Sequence, residues 1–170
     1  MLPDHKTERL FLRSLTNDDA RFIFELVNTQ GWIKFIGDRN VKTLEDAGQY
    51  IQRIISNPAV DYLVVTLQDE QTAIGVISFI KRDYLDHHDI GFAFLPAYAG
   101  QGYAFEAADA VLTDLMKLQE HATILATTLE DNHSSIRLLK KLGFVFNKEI
   151  INEEDTLQLF AINNKKTNVQ

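Results

Sequence analysis

The chain has 170 residues, 45% of them hydrophobic and 24% charged, which predicts one globular domain over residues 1–170 rather than a disordered chain. It contains no cysteine, and this excludes a disulfide scaffold, a thiolate metal site and a covalent acyl-cysteine intermediate. Its net charge of −7 disfavours nucleic acid as a partner, because contacts to phosphates need a basic face. The charge would attract a cationic partner, or it serves only to keep the surface solvated.

The first part of the chain predicts a strand followed by two helices. Residues 9–13 alternate enough to form the strand. Thr16 and Thr43 each stand three positions before an aspartate, which is a helix-capping pattern, and apolar residues recur at helical spacing after each of them. Between these two helices lies a short apolar piece, residues 32–36, which closes at Gly37.

Three strands follow the second helix. Residues 62–67, 73–80 and 89–95 are rich in apolar and β-branched side chains, and short polar segments separate them. Connections of this length cannot contain crossover helices, so we expect an antiparallel meander.

The rest of the chain alternates between helix and strand. Apolar residues recur with helical period from Gly102 onward, which predicts a long helix. Residues 123–128 predict a buried strand, and a shorter helix ends at Gly143. Two further strands, residues 144–150 and 156–162, form a closing hairpin.

These elements define the expected fold class. We expect an α/β (α+β) domain with a mixed, mostly antiparallel central sheet of about seven strands flanked by about four helices. The core should cover about residues 7–162, and residues 163–170 should form a polar tail.

The most informative segment connects the third meander strand to the long helix. Residues 95–107 read Leu-Pro-Ala-Tyr-Ala-Gly-Gln-Gly-Tyr-Ala-Phe-Glu-Ala. Gly100 and Gly102 permit a tight turn and the close approach of a ligand. Successive N–H groups then point outward at the helix start, where the helix dipole is positive, and this geometry binds phosphate. A Gly-x-Gly turn also occurs without any ligand.

Two other phosphate-binding patterns fit this segment poorly. A Walker loop requires Lys-Ser/Thr after the second glycine, whereas Gly102 is followed by Tyr103-Ala104. The dinucleotide fingerprint requires a third glycine where Phe105 stands. A nucleotide-binding module is therefore the weaker hypothesis.

A second pattern lies about thirty residues further along. Asn132 is followed by Ser135 three positions later, and the segment ends in Leu-Gly-Phe at Gly143. Taken alone, this segment is a helix that Asp131 or Asn132 caps and that Gly143 terminates.

Together, the two patterns resemble the signatures of the GNAT superfamily of N-acetyltransferases, and in particular the branch typified by ribosomal-protein N-terminal acetyltransferases. That branch writes the first motif as Tyr-Trp-Gly-Lys-Gly-Tyr-Ala-Thr-Glu-Ala, and this chain has Tyr-Ala-Gly-Gln-Gly-Tyr-Ala-Phe-Glu-Ala from Tyr98 onward. Ala99 and Gln101 stand where bulky or basic residues are usual, so backbone amides would carry more of the binding. The resemblance covers about residues 7–162 and implies the GNAT fold, with acetyl-CoA as co-substrate.

The same resemblance implies roles for individual residues. Asn132 would bind the pantetheine arm, Ser135 would lie near the sulfur, and a main-chain N–H near Phe94 or Leu95 would stabilise the oxyanion. The predicted cofactor-binding residues are Phe94, Leu95, Ala99, Gly100, Gln101, Gly102, Tyr103, Ala104, Asn132 and Ser135.

The implied reaction is direct attack of a neutral amine on the thioester in a ternary complex. Asp89 stands where the branch often has Glu and is the first candidate for a base acting through water, with His88 and His87 as alternatives. A solvated polar turn is the other interpretation of these three residues. Leu139 occupies a position where many family members carry a tyrosine acid, so Ser135 is the group expected to stabilise the leaving thiolate. We expect no metal.

The expected partner is an amine: a protein N-terminus or a small molecule such as a polyamine. We expect no contact with nucleic acid or membrane, no secretory signal, a cytoplasmic location, and a monomer or homodimer. Glu106 is expected to be solvated or to favour the dipole at the helix start, and His121 to lie on the surface. A non-catalytic CoA-binding or sensor domain on the same fold is the alternative function, because Leu139 and the uncertain base leave catalysis open.

Overall fold

The computed structural model describes residues 2–118, 120–153 and 155–164, so most of the predicted tail lies outside the described residues. Eight strands form one sheet. They are β1 (His5–Lys6), β2 (Leu10–Ser14), β3 (Val60–Leu67), β4 (Ala73–Ile80), β5 (Asp89–Phe94), β6 (Thr123–Leu129), β7 (Val145–Asn152) and β8 (Asp155–Asn163).

In the described residues, five α-helices pack on this sheet. They are α1 (Ala20–Val27), α2 (Gln30–Phe35), α3 (Leu44–Ile55), α4 (Tyr103–Leu115) and α5 (His133–Lys141). The predicted mixed sheet flanked by helices is confirmed, with one more short strand and one more helix than expected. None of the helices in the described part of the chain is long and apolar enough to cross a membrane.

The extra helix is α2, where the sequence predicted only a short apolar piece. The hydroxyl of Thr29 caps it by accepting a hydrogen bond from the Trp32 amide at 3.3 Å. The predicted cap of α3 forms as expected, because Thr43 Oγ1 accepts from the Asp46 amide at 3.1 Å and Asp46 Oδ2 accepts from the Thr43 amide at 2.9 Å.

The strand order in the sheet is β1-β2-β3-β4-β5-β6-β8-β7. The meander of β3, β4 and β5 is antiparallel, as predicted, and β5 and β6 form a parallel pair. The connection between these two parallel strands contains α4, so the glycine turn lies at the carboxyl end of β5.

The sheet has a separate hydrophobic core on each face. Successive strand residues point to opposite faces, so Val64 packs with α1 and α3, whereas its neighbours Leu63 and Val65 pack with α4 and α5. The helix that begins at the glycine turn is thereby fixed against the sheet by a buried face that includes Val111.

Candidate active site

Strands β5 and β6 separate almost as soon as they meet. In the described structure, their register contains the single pair Asp89 and Leu125. The Leu125 amide donates to the His88 carbonyl at 2.9 Å, and the strands diverge beyond that point. The divergence leaves a slot between them that opens toward the carboxyl end of β5.

The backbone direction along β5 decides which amides face this slot. The Leu95 amide donates to the Ile74 carbonyl of β4 at 2.8 Å. The backbone N–H groups of successive strand residues point to opposite sides, so the Phe94 amide faces the slot and β6. Of the two residues predicted to supply an oxyanion donor, Leu95 is engaged by β4 and Phe94 is the one directed at the slot.

The Phe94 ring lies flat on the neighbouring strand. Gly75 of β4 is the register partner of Phe94, and a Cβ atom at Gly75 would overlap the Phe94 ring. The absence of a side chain at Gly75 therefore lets this ring settle on β4. No pattern in the sequence indicated this role for Gly75.

The predicted phosphate-binding turn has the conformation that its glycines permit. Gly100 has φ of +73° and Gly102 has φ of +83°, both in the left-handed region. Gly102 is the N-cap residue of α4. Among the described residues, the amides of residues 102–105 donate no hydrogen bond to the protein. Four N–H groups at the positive end of the helix are thus available to an anion.

A hydrogen-bond network that no sequence pattern indicated lies behind this turn. The Glu106 carboxylate accepts hydrogen bonds from Thr7 Oγ1 at 2.6 Å, from the Arg9 amide at 2.9 Å and from Arg9 Nε at 2.7 Å. Glu106 lies in the first turn of α4, as one of the two expectations had it, but it is not solvated, since only 18% of its side chain is exposed. Burial alone would raise the pKa of Glu106, but these hydrogen bonds outweigh burial and lower it.

The Arg9 guanidinium reaches from Glu106 to the turn itself. Its Nη1 donates to the Gln101 carbonyl at 2.9 Å, and its central carbon lies 4.4 Å from the centre of the Tyr103 ring. A Cβ atom at Gly102 would lie 3.3 Å from Arg9 Nη2. The sequence showed Arg9 only as part of the first strand. The pairing of that strand with the rest of the sheet brings Arg9 to a turn more than ninety residues away.

The second motif forms the amino end of α5. Asn132 is the N-cap, and its Oδ1 accepts from the Ser135 amide at 3.3 Å. This cap occupies the carbonyl of the Asn132 side chain. Ser135 lies in the first turn and is partly buried. Leu139 is 1% exposed and packs in the core on the face of α4.

A buried ion pair lies at the amino end of β5. Arg82 Nε is 3.0 Å from both carboxylate oxygens of Asp89, and Asp89 is 3% exposed. Burial raises the pKa of Asp89, and the attraction of Arg82 offsets this only in part. Both oxygens of the first candidate base therefore face the Arg82 guanidinium.

His88, the alternative base, belongs to an aromatic cluster beside this ion pair. Its ring stacks on Phe79 with 4.8 Å between centres, and the His121 ring meets it edge-on at 5.2 Å. Burial first, and then the charge of His121, lower the pKa of His88, so its imidazole is neutral at pH 7. His121 was expected on the surface, but its side chain is 13% exposed and packs against Phe79. His87 is exposed.

The slot, the glycine turn and the capped helix α5 are typical of an enzyme that binds a phosphate-bearing co-substrate. Comparisons with known proteins agree with this class. The family model described as an acetyltransferase (GNAT) domain matches residues 9–145. An uncharacterized N-acetyltransferase of Bacillus subtilis, YnaD, is 34% identical over 137 residues, which are 81% of this chain and 79% of that protein.

Solved structures show the same fold. An acetyltransferase (GNAT family) from Bacillus anthracis is 26% identical, with a TM-score of 0.82 and coverage of 96% of this chain and 100% of that one. A spermidine N-acetyltransferase from Vibrio cholerae, in complex with CoA and spermine, has a TM-score of 0.79 at 19% identity and covers 94% and 98%. A ribosomal-protein-S5-alanine acetyltransferase from Vibrio fischeri has a TM-score of 0.73 at 19% identity and covers 96% and 98%.

The chain therefore belongs to the GNAT acetyltransferase family, as its two motifs predicted. It is an N-acetyltransferase with acetyl-CoA as its co-substrate.

Proposed function

We propose that the enzyme binds the diphosphate of acetyl-CoA on the free amides of residues 102–105 and the pantetheine arm in the slot between β5 and β6. The observation that carries this proposal is the set of four unpaired amides at the start of α4. Each would donate to a phosphate oxygen, and the helix dipole adds a favourable field at the same point. Ala99, Gly100 and Gln101 complete the turn around the phosphates.

The remaining cofactor contacts follow the slot toward the thioester. The Asn132 side chain caps α5 with its carbonyl, which leaves its NH2 group to donate to the pantetheine arm. Ser135 lies one turn further on and would donate to the sulfur. The Phe94 amide, directed at the slot, is the proposed donor to the oxyanion of the tetrahedral intermediate.

The proposed reaction needs no covalent enzyme intermediate. A neutral amine attacks the thioester carbonyl, and the carbonyl oxygen gains negative charge. Collapse of the intermediate re-forms the carbonyl and breaks the carbon–sulfur bond, and the extra proton on the nitrogen passes through water to the departing thiolate. The CoA thiol should titrate near a free cysteine, whose pKa is about 8.5, so its thiolate leaves readily with one hydrogen bond from Ser135. Holding both substrates in line supplies much of the rate by proximity.

The attacking ammonium must first lose a proton. Asp89 and His88 are the two candidates at this end of β5. The geometry favours His88 as the acceptor of that proton, through water, because Arg82 occupies both Asp89 oxygens and the His88 imidazole is neutral with a lowered pKa. Asp89 then holds Arg82 in place beside the acceptor amine.

For the acceptor, we propose a protein N-terminus, as in the branch of ribosomal-protein N-terminal acetyltransferases. The support is the loop from Tyr98 to Ala107, which differs from that branch at three of ten positions, Ala99, Gln101 and Phe105. The net charge of −7 would attract a basic peptide, and it would attract spermidine equally.

The test measures binding and turnover separately. Calorimetry with CoA should give saturable binding, and release of free thiol from acetyl-CoA should require an amine. Peptides with a free N-terminus, their N-acetylated counterparts and spermidine are compared as acceptors. Turnover with the free peptides alone supports the proposal, turnover with spermidine alone moves the acceptor to polyamines, and binding without turnover would indicate a non-catalytic CoA sensor.

A further inference from the structure

We infer that Arg9 is a positioning residue for the diphosphate site: it fixes the peptide between Gln101 and Gly102 so that the Gly102 N–H points at the cofactor. The inference deepens the proposed function and rests on it, since the proposed diphosphate site includes this amide. Arg9 itself would contact the turn, and the backbone amides would bind the phosphates.

The geometry of one peptide unit carries the inference. Arg9 Nη1 donates to the Gln101 carbonyl at 2.9 Å. In a planar trans peptide, the carbonyl of one residue and the N–H of the next point in opposite directions, and no described peptide bond is cis. Fixing the Gln101 carbonyl on Arg9 therefore directs the Gly102 N–H away from Arg9, to the open side of the turn.

This peptide needs such a restraint because of the residue that follows it. Gly102 has φ of +83°, a conformation that glycine adopts at little cost, but glycine adopts negative φ about as readily. Rotation of the peptide about its flanking bonds would exchange the carbonyl and the N–H at the turn. A carbonyl oxygen directed at the cofactor would repel the phosphates, so the hydrogen bond from Arg9 selects the binding orientation.

The Arg9 side chain is held in place from three sides. Its Nε donates to Glu106 at 2.7 Å, while its Nη1 holds Gln101, so the two arms of the planar guanidinium serve different partners. Thr7 Oγ1 donates to the same Glu106 carboxylate at 2.6 Å, and the Tyr103 ring lies under the guanidinium. A lysine has one point of charge and cannot reproduce this fork.

Charge gives Arg9 a second effect at the same place. The turn has Ala99 and Gln101 and therefore no basic side chain of its own between Leu95 and Glu106. The Glu106 carboxylate would by itself repel a diphosphate at the helix start. Arg9 neutralises Glu106 at 2.7 Å, and the helix dipole then acts without opposition.

The experiment compares two ligands that differ in the diphosphate. Binding of CoA and of pantetheine, which lacks the whole nucleotide part, is measured by calorimetry for the wild type, Arg9→Gln and Arg9→Lys, with thermal melting as a check on folding. We expect both variants to bind CoA about tenfold more weakly, the value of about one charge-assisted hydrogen bond, and to bind pantetheine like the wild type. Arg13→Gln is the matched control, because it removes an arginine that pairs with Asp19 away from the turn.

The double variant Arg9→Gln, Glu106→Gln separates orientation from charge. If Arg9 acts through the Gln101 carbonyl, removing the Glu106 charge as well leaves CoA binding weak. Full recovery of CoA affinity in the double variant would overturn the positioning role. Neutralisation of the Glu106 charge would then account for the whole effect of Arg9. Unchanged CoA affinity in folded Arg9→Gln, or equal loss for CoA and pantetheine, would also overturn it. Failure of the wild type to bind CoA would instead overturn the proposed function, and this inference with it.

Discussion

The two ends of strand β5 are built in different ways. At its carboxyl end, main-chain amides of residues 102–105 face outward without a protein acceptor among the described residues. At its amino end, side chains are held by other side chains, since buried Asp89 pairs with Arg82 and the His88 ring packs against the rings of Phe79 and His121.

This difference indicates how each end is suited to its substrate. A diphosphate is the same in every acetyl-CoA molecule, and backbone amides with a helix dipole recognise it whatever side chains surround them. In the proposed reaction, the amino end handles a proton and an acceptor, and its candidate side chains have pKa values that are set by burial and by neighbouring charges. Four sets of substitutions test this division: at the turn, at the amino end of β5, at the cap of α5 beside the slot, and away from all three.

The largest effect is expected at the turn, from Gly102→Asp. The new carboxylate would stand against the diphosphate, and its Cβ would lie 3.3 Å from Arg9 Nη2. We expect CoA affinity to fall by at least about 100-fold, because a like charge at a binding interface costs several kcal/mol. Calorimetry measures the change.

Gly102→Asn is the matched control for this substitution. Asparagine has the same shape, carries no charge, and tolerates positive φ better than most residues. It should lose only about tenfold in CoA affinity, the share of the loss that comes from bulk and backbone strain. A folded Gly102→Asp variant that binds CoA as the wild type does would disprove the diphosphate site.

The sequence predicted those features of the two ends of β5 that depend on residues close together in the chain. Gly100 and Gly102 act through their own backbone angles, and the cap at Asn132 acts within one helical turn, so short motifs predicted both. The meander of β3, β4 and β5 was predicted for the same reason, because short connections force antiparallel neighbours.

The contacts that the sequence did not indicate join distant segments. Arg9 and Glu106 are separated by 97 positions. Phe79 lies in β4, and His121, which contacts it, lies in the connection before β6. Nothing in either local sequence marks such a partner, because the pairing depends on how the strands are ordered in the sheet. The alternation that directs Phe94 rather than Leu95 at the slot likewise requires the hydrogen-bond register with β4.

At the amino end, His88→Gln should lower kcat by about 100-fold, the contribution typical of a general base. The pKa of His88 is lowered from 6.5, and a base is active when it is deprotonated. The ratio of wild-type to variant kcat should therefore rise as the pH increases through a value below 6.5 and stay level above it. Measuring both enzymes with one acceptor cancels the titration of the acceptor itself.

The same pH profile measured for Asp89→Asn tests the other candidate base. If Asp89 only holds Arg82, the variant should lose stability and keep the rising limb of the pH profile. If the rising limb disappears in Asp89→Asn and persists in His88→Gln, the base is Asp89 and the assignment to His88 is wrong.

A smaller effect is expected from Asn132→Asp, in the slot. The aspartate keeps an oxygen that can cap α5, as Asn132 Oδ1 does at 3.3 Å, and removes the NH2 group proposed to bind pantetheine. CoA and pantetheine should both bind about tenfold more weakly, with the melting temperature unchanged. Asn132→Ala removes cap and donor together and should also lose about 1 kcal/mol of stability. Equal CoA affinity in Asn132→Asp and the wild type would restrict Asn132 to capping.

The smallest effect on function is expected from Asp19→Asn, which alters an arginine–carboxylate pair away from both ends of β5. Asp19 accepts from Arg13 at 2.7 Å and 2.9 Å and from the Thr16 amide at 2.9 Å. Burial opposes its ionisation, but these hydrogen bonds outweigh burial and lower the pKa of Asp19 below 3.8. The variant should keep wild-type CoA affinity and kcat, and lose about 1 kcal/mol of unfolding free energy at pH 7.

The pH dependence of that loss follows from the direction of the pKa shift. A carboxyl group whose pKa is lower in the folded state stabilises the fold fully above its unfolded pKa, and the contribution disappears as the pH falls through the folded value. Urea unfolding of Asp19→Asn and the wild type should therefore differ by a constant amount above about pH 5, and the difference should shrink below pH 3.8. A change in CoA affinity in this variant would mean that ion pairs throughout the domain affect the turn. The effect of Arg9 on the turn would then not be specific to Arg9.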